Sequence, residues 1–321
     1  MPQSSPWRFW AWPRELKQAG IVGINRRNGR FVLPLNRRAF YPRVDEKHIT
    51  KGICQAAGIP VPETYALIEN NGDVKRFLEI SGNRPEFVVK PAAGSAGRGI
   101  IVVARHDGRE FFTSSGQRYT LADLRYHVAT ILSGLYSLQG QPDLAIIEQR
   151  IVCHEAFTNV SEGGTPDVRV VLYRCVPVMA MVRLPTRASR GKANLHQGAA
   201  GAGVDLHTGI TFGGVCLDRA ISTHPDTGHS IAGIQVPFWH DLLRAAMKLA
   251  DGLELGYTGI DFVVDANLGP VVLEANARPG LNIQVANRRG LGPRLEYLDS
   301  LPGERLQGAG RAELIETLAT M

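Results

Sequence analysis

The chain has 321 residues, 44% hydrophobic and 21% charged, a globular composition that excludes collagen-like, coiled-coil and wholly disordered chains. Its net charge of +6 is uneven: residues 1–44 hold nine Lys/Arg against the single acid Glu15, a surplus of +8, and the rest of the chain carries −2. No apolar run approaches the roughly 18–20 residues of a membrane helix, and the start MPQSSPWRFWAWPREL lacks a small-residue cleavage site after an apolar stretch, so a cytoplasmic protein is expected.

Residues 1–44 form a basic segment holding three of the four tryptophans, Trp7, Trp10 and Trp12. Such a segment suits an anionic membrane surface, an acidic partner or a nucleic acid; the alternative is a solvated arm whose aromatics pack on the body. From Asp45 the spacing of Ile49, Ile53, Ala56 and Ala57 predicts a helix over 45–57, stopped by Gly58 and the prolines at 60 and 62. TYALIE reads as a strand and VKRFLEIS as a short helix. EFVVKPAAGSAGRGIIVVAR then reads as a hairpin whose turn holds Gly94, Gly97 and Gly99. Residues 121–138 are an amphipathic helix and 144–151 a buried strand. DVRVVLYRCVPVMAMVRLP gives two strands about Cys175–Pro177, and the Gly/Ala-rich stretch from Lys192 to Gly203 reads as a long polar loop. FWHDLLRAAMKLADGL is a helix closed by Gly252, YTGIDFVVDANLGPVVLEAN a hairpin through Asn267–Pro270, and Arg311–Ala319 a last helix. Strands and helices in mixed order, with hairpins in place of strict βαβ alternation, argue for α+β architecture with two lobes meeting near 145–155. The cysteines Cys54, Cys153, Cys175 and Cys216 show no metal spacing and read as reduced thiols.

Three features carry chemistry. The loop GSAGRG at 94–99 lacks the GK[ST] of a P-loop and the following helix of a dinucleotide fingerprint, yet its free amides suit a flap over phosphate; an ordinary hairpin turn is the competing reading. Lys90 closes the strand EFVVK beside that loop, where a buried ammonium needs an anion. Asp261 in GIDF faces a strand with Glu274 and Asn276 at i and i+2, so that the latter two leave the same face. Three oxygen donors across a hairpin are the set Mg²⁺ takes alongside substrate phosphates; the alternative is that both acids are partners of arginines.

In order and spacing, DEKHITK, FVVKPAAGSAGRGI, IIEQRIVCHE, DVR, NLHQG, GIDF and LEANARPG resemble the ATP-grasp superfamily, and within it the RimK-type and alpha-L-glutamate ligase-like proteins, over about residues 45–285. The resemblance implies an ATP-grasp fold of two α+β lobes clasping ATP: an N-lobe at 45–148 with the Gly-rich flap, a C-lobe at 149–321 with the metal site, and the basic segment 1–44 in place of a full N-terminal domain. It implies that Lys47 and Lys90 hold the ATP phosphates under a flap of Gly94, Ser95, Gly97 and Gly99. It places Glu148, Gln149 and Ile151 at the adenine, Glu155 at the ribose and Arg169 near the transferred phosphate. Asp261, Glu274 and Asn276 match the Mg²⁺ ligands, with Mn²⁺ as a substitute. Arg278 would lie at the acceptor site, where a guanidinium clamps a carboxylate, and Lys192, Asn194 and His196 resemble the RimK-type loop.

The implied activity is a carboxylate–amine ligase that forms an amide or peptide bond through an acyl phosphate, adding glutamate or another amino acid to a peptide, protein or small molecule. A kinase of the same superfamily and a non-catalytic nucleotide-binding scaffold are the alternatives. A membrane-associated protein partner through residues 1–44, at the inner membrane face, is implied by the ligase-like group; nucleic acid rests on charge alone and is not favoured.

Overall fold

A computed structural model describes residues 12–82, 84–94, 98–113, 116–137, 140–217, 219–308 and 310–321. Trp7 and Trp10 of the basic segment, and Ser95 and Gly97 of the flap, lie outside these residues. The protein is α+β, with helices set against antiparallel sheets.

The first sheet is built from β1 (Thr64–Ile68), β2 (Phe87–Pro91) and β3 (Ile101–Val103). A small satellite sheet follows, β4 (Arg105–His106), β5 (Glu110–Phe112) and β6 (Arg118–Thr120), and then β7 (Ala145–Glu148) returns to the first sheet, giving the order β1-β7-β2-β3. The β-branched runs form the expected hairpin, with Phe87 opposite Val103 and Val89 opposite Ile101. The helix Leu121–Leu132 packs on this sheet, begun by a capping box in which Thr120 and Asp123 satisfy each other's backbone amides. It ends six residues before the predicted 138. Gly134 takes φ +83°, and a Cβ there would sit 2.2 Å from the Gln141 carbonyl oxygen, so the chain turns back where only glycine fits.

The larger sheet has the order β12-β11-β10-β9-β8-β13-β14. Its strands are β8 (Asp167–Tyr173), β9 (Val176–Leu184), β10 (Ala200–Val204), β11 (Thr211–Cys216), β12 (Arg219–Ile221), β13 (Tyr257–Asp265) and β14 (Gly269–Asn276). β8 and β9 join through Arg174 and Cys175, both in the left-handed region at φ 50° and 61°, the tight-hairpin geometry whose twist matches the strands. Part of the stretch expected as a polar loop is strand β10, fully buried. Its small residues answer a packing need: a Cβ on Gly203 would lie 2.7 Å from the Phe212 ring and 3.0 Å from the Ala286 carbonyl oxygen, at the helix Asn282–Asn287. Likewise Gly252 does not end its helix, which runs Trp239–Leu253 and closes at Glu254 with φ 54°. It brings that helix against the helix Lys47–Ala56, where a Cβ would stand 2.6 Å from Ile53 Cγ2.

Two hydrophobic cores result. One comprises residues between Ile68 and Ile147; the other joins the large sheet and its helices to Val22, Phe31, Val32, Val44, Cys54 and Ile59. By packing, the residues from Val22 to Ile59 thus go with the second core, and the division placed at 44/45 by sequence is no boundary between cores. Much of the basic segment is integrated into the body: Phe31 packs edge-on against Tyr173 at 5.6 Å, Arg26 pairs with Glu296 and Arg43 with Glu254. Buried Gln284 receives Val22 N at 2.9 Å and donates to Val22 O at 3.0 Å, replacing a strand partner. Among the described residues no helix is long and apolar enough to cross a membrane.

Candidate active site

Charged side chains gather where the large sheet faces the helix Lys47–Ala56. Across β8, β13 and β14, Arg169, Asp261 and Glu274 are in register, Asp261 opposite both Arg169 and Glu274. Two residues further along β8, at the open end of the β8–β9 hairpin, Asp167 stands opposite Arg183. Two irregularities make this row. The β13–β14 register shifts between Asp261 and Phe262, and the β8–β9 register shifts between Val171 and Leu172. Each bulge moves the pairing by one residue and so changes which side chains share a face.

Asp261 is 1% exposed. Arg169 grips it bidentately, Nε to Oδ1 and Nη2 to Oδ2 both at 2.6 Å, and Arg183 Nη2 adds a contact to Oδ2 at 2.8 Å. Arg183 in turn holds Asp167 at 2.5 and 2.6 Å. Burial alone would push the Asp261 carboxyl up, but the two guanidinium groups hold it well below the usual carboxylate range. Burial and the neighbouring Asp261 charge raise Glu274, whose Oε1 accepts from Asn276 Nδ2 at 3.3 Å. The i, i+2 placement of Glu274 and Asn276 therefore holds. Asp261 realises the arginine-partner alternative while remaining beside Glu274.

The cationic half comes from the other elements. Lys47, Lys51 and Glu274 line one crevice between the helix Lys47–Ala56 and β14. Lys47 Nζ donates to the carbonyls of Ala92 and Gly94 at 2.9 and 2.8 Å, tying the helix to the base of the flap. Its pKa is lowered, first by burial, with Glu274 pulling the other way. Lys90 is buried and pairs with Glu148, the anion its position demanded. Glu148 is 3% exposed and also accepts from Lys51 Nζ at 2.5 Å. Gly99 at the flap's other end is fixed by His127, whose Nε2 lies 2.8 Å from its carbonyl oxygen, and by Tyr136, against which a Cβ would stand at 2.6 Å.

Of the remaining sequence-predicted residues, Gln149 is tied to Glu63, its amide donating to Glu63 O at 2.8 Å and its side chain accepting at 3.2 Å. Ile151 is half-buried, and Glu155 is exposed at the start of the turn Glu155–Val160. Asn194 caps the short helix Leu195–Gln197 by accepting from His196 N at 3.0 Å, and His196 is exposed. Lys192 lines a separate cleft with Ala188, Ser189, Arg190 and Gln197. Arg278 lies above the Tyr41 ring, 5.4 Å from its centroid.

Sequence reading missed Arg183 and Lys51. Lys51, one helical turn after Lys47, follows from helical spacing alone. Arg183 carries a faint signal, a lone arginine in the apolar run VPVMAMVRL. The Val171/Leu172 bulge hides it, because counting back from the turn would set Val182 opposite Asp167.

The family model described as "Sugar-transfer associated ATP-grasp" matches residues 26–300. The chain belongs to this ATP-grasp family. Among curated proteins, the ATP-grasp chain is 23% identical over 282 residues to a probable alpha-L-glutamate ligase of Serratia proteamaculans, covering 86% of this chain and 71% of that protein. It is also 23% identical over 271 residues to a cyanophycin synthetase of Synechocystis, covering 77% of this chain but only 28% of the relative. A solved structure of the ATP-grasp ligase PsnB with minimal precursor, Mg and ADP aligns at 16% identity and TM-score 0.41, over 83% of this chain and 61% of that one.

Proposed function

We propose that the protein is an ATP- and Mg²⁺-dependent carboxylate–amine ligase. The observation that carries this reading is the convergence, in one crevice and its continuation, of three lysines beside the flap with a row of oxygen donors. Lys51 and Lys90 both reach Glu148, and Lys47 is tied to the Ala92 and Gly94 carbonyls, a grouping of ammoniums beside the flap that suits polyphosphate. Across the crevice stand Glu274, Asn276 and Asp261. Family membership and the ligase names of the two curated relatives support the same class.

The residues fit a divalent cation. Glu274 and Asp261 lie close enough to share a hydrogen bond and Glu274 is raised, a crowding of carboxylates that a cation relieves. Mg²⁺ takes one or two carboxylates and completes its shell with substrate oxygens. Glu274, Asn276 and Asp261 would hold it, and its charge would neutralise phosphate oxygens; Mn²⁺ would replace it. Lys47 and Lys90 bind the phosphates, Lys90 released from Glu148 as the nucleotide arrives. Arg169 keeps Asp261 ionised and presents its remaining donors to the transferring group.

In the first step a substrate carboxylate oxygen attacks the γ-phosphorus and ADP departs with the bonding pair, giving an acyl phosphate. In the second an amine nitrogen attacks the acyl carbon, inorganic phosphate leaves, and the amine proton passes to solvent. Both steps build negative charge on oxygen, which fixed cations stabilise without reorganisation. The substrates are an amino acid and a second amino acid, a peptide or a small acid.

Mass spectrometry of the full chain with Mg-ATP and a pool of amino acids, peptides and cell extract tests this. ADP with a product formed by loss of water, both absent in Glu274→Ala, is expected. A phosphorylated alcohol in its place would make the protein a kinase, and nucleotide binding with no product a scaffold.

A further inference from the structure

We propose that Asp143 and His127 are positioning residues for the ATP phosphates: each holds one leg of the Gly-rich loop, and the helix Leu121–Leu132 with the chain that follows it to β7 is the frame on which the flap is carried. The inference rests on the nucleotide-binding part of the ligase reading and adds to it two residues that no comparison assigns.

The entering leg is residues 92–94, directly after β2. Its carbonyls and its amide are held by different side chains. Lys47 Nζ takes the Ala92 and Gly94 carbonyls, and between them the Ala93 amide donates to both carboxylate oxygens of Asp143, at 3.0 and 3.1 Å. Asp143 is 8% exposed and also accepts from the Leu144 amide at 2.8 Å. The Ala92 amide donates to the Leu144 carbonyl at 2.9 Å, so the leg continues the β2–β7 ladder past Pro91, and an isolated bridge then joins Gly94 to Ser137. Ser137 is itself buried, its Oγ donating to the carbonyls of Gly134 at 2.9 Å and Gln141 at 2.5 Å.

The returning leg is fixed from the same frame. The Gly99 carbonyl oxygen, 2.8 Å from His127 Nε2, can only accept, so Nε2 carries the proton. Burial lowers the His127 pKa, with the bond to Gly99 acting against it, and the ring is neutral at neutral pH. Gly99 takes φ +73° against the Tyr136 ring, which lies 5.4 Å from the His127 ring. What sets Asp143 apart is its charge. Burial lowers the Lys47 pKa, and Glu274, Asp143 and Glu148 act against it, so the Asp143 charge is felt at a lysine of the phosphate site. A carboxylate there repels polyphosphate. Its bonds to Ala93 and Leu144 offset that repulsion by ordering the leg beforehand, because a loop already held in place loses little conformational entropy when its amides meet phosphate.

Calorimetry of the full chain with Mg²⁺ and a non-hydrolysable ATP analogue tests this. Asp143→Ala and His127→Ala should each weaken the nucleotide about tenfold. Asp143→Asn keeps an acceptor for Ala93 and His127→Gln a donor for Gly99, and both should stay within about threefold of the wild-type chain. Charge alone would act in the other direction, so an Asp143→Ala variant that binds nucleotide as tightly as the wild-type chain, or more tightly, overturns the proposal. Release of either leg frees the same loop; the double alanine variant should therefore lose little beyond the worse single one, and losses that multiply to about a hundredfold overturn the shared frame. Asp123→Ala removes the capping box of the same helix and touches neither leg. It should lower the melting midpoint and leave nucleotide affinity within about twofold; a loss as large as that of the two alanine variants would mean that they merely loosen the helix, and would overturn the positioning role. A wild-type chain that binds no nucleotide overturns the ligase reading beneath the proposal, whereas binding indifferent to every substitution at Asp143 and His127 overturns the proposal alone.

Discussion

Replacing Arg183 with methionine removes the guanidinium that serves two buried carboxylates. Its three contacts, 2.5 and 2.6 Å to Asp167 and 2.8 Å to Asp261, are charge-assisted, and all three residues are largely buried. Asp261 keeps the bidentate grip of Arg169, so the loss falls on Asp167, which is left buried and unpaired. Breaking a buried ion pair from one side costs about 3–5 kcal/mol, a large fraction of the roughly 5–15 kcal/mol that holds a protein folded. At about 2 °C per kcal/mol for a chain of this size, the melting midpoint should fall by about 6 °C or more. Removing both partners, in Arg183→Met with Asp167→Leu, takes the two charges out together and should recover at least about 2 kcal/mol of that loss. Urea denaturation of the two single variants and the double variant measures the coupling. Costs that add within about 0.5 kcal/mol would mean that the residues act independently and would refute the reasoning. The pH dependence gives a second check. Burial raises Asp167 in the folded protein above its unfolded value of about 3.9, so the folded state binds the extra proton and stability falls as pH rises through that interval. In Arg183→Met the opposing charge is gone, the interval widens upward, and the decline should reach higher pH.

Asn36→Ala strips two donated bonds and one accepted bond from the ends of β13 and β14, at 2.7, 3.1 and 2.9 Å, and should destabilise the chain by about 3 kcal/mol or more in the same assay. Lys51→Met leaves Glu148 to Lys90 alone; with that pair tightened, nucleotide should bind about tenfold more weakly by calorimetry, and unchanged affinity would detach Lys51 from the site. Burial pushes the Cys54 thiol up to about 12, so a thiol reagent at pH 8 should modify it only after unfolding.

Much of the site was legible because it is local. Glu274 and Asn276 share a face by strand alternation alone, and Lys90 needed an anion because a buried strand cannot end on a free ammonium. What escaped depends on register and on backbone approach. The two bulges decide which residue faces Asp167 and which faces Asp261, and strand periodicity carries no sign of a one-residue slip. AGAGV reads as a loop because its residues lack β propensity; they are small because the helix Asn282–Asn287 and Phe212 crowd the strand from outside the local sequence. Gly252 looks like a terminator for the same reason. The basic segment was the largest gap between sequence and structure. Its charge is plain in composition, whereas the tasks of Arg27 and Asn36 are set by carbonyls more than 200 positions away.

That distance has a consequence for how the protein is made. Val22 meets Gln284 across 262 positions, and Asn36 meets Tyr257 across 221, so the segment that leaves the ribosome early can find its place only after most of the chain has followed. At about 5–20 residues per second, its arginines and apolar side chains wait on the order of tens of seconds with no native surface to cover them. The nascent chain is thus most open to chaperones, proteases and self-association through the part that, once folded, holds the Ala277 and Pro279 carbonyls just beyond β14.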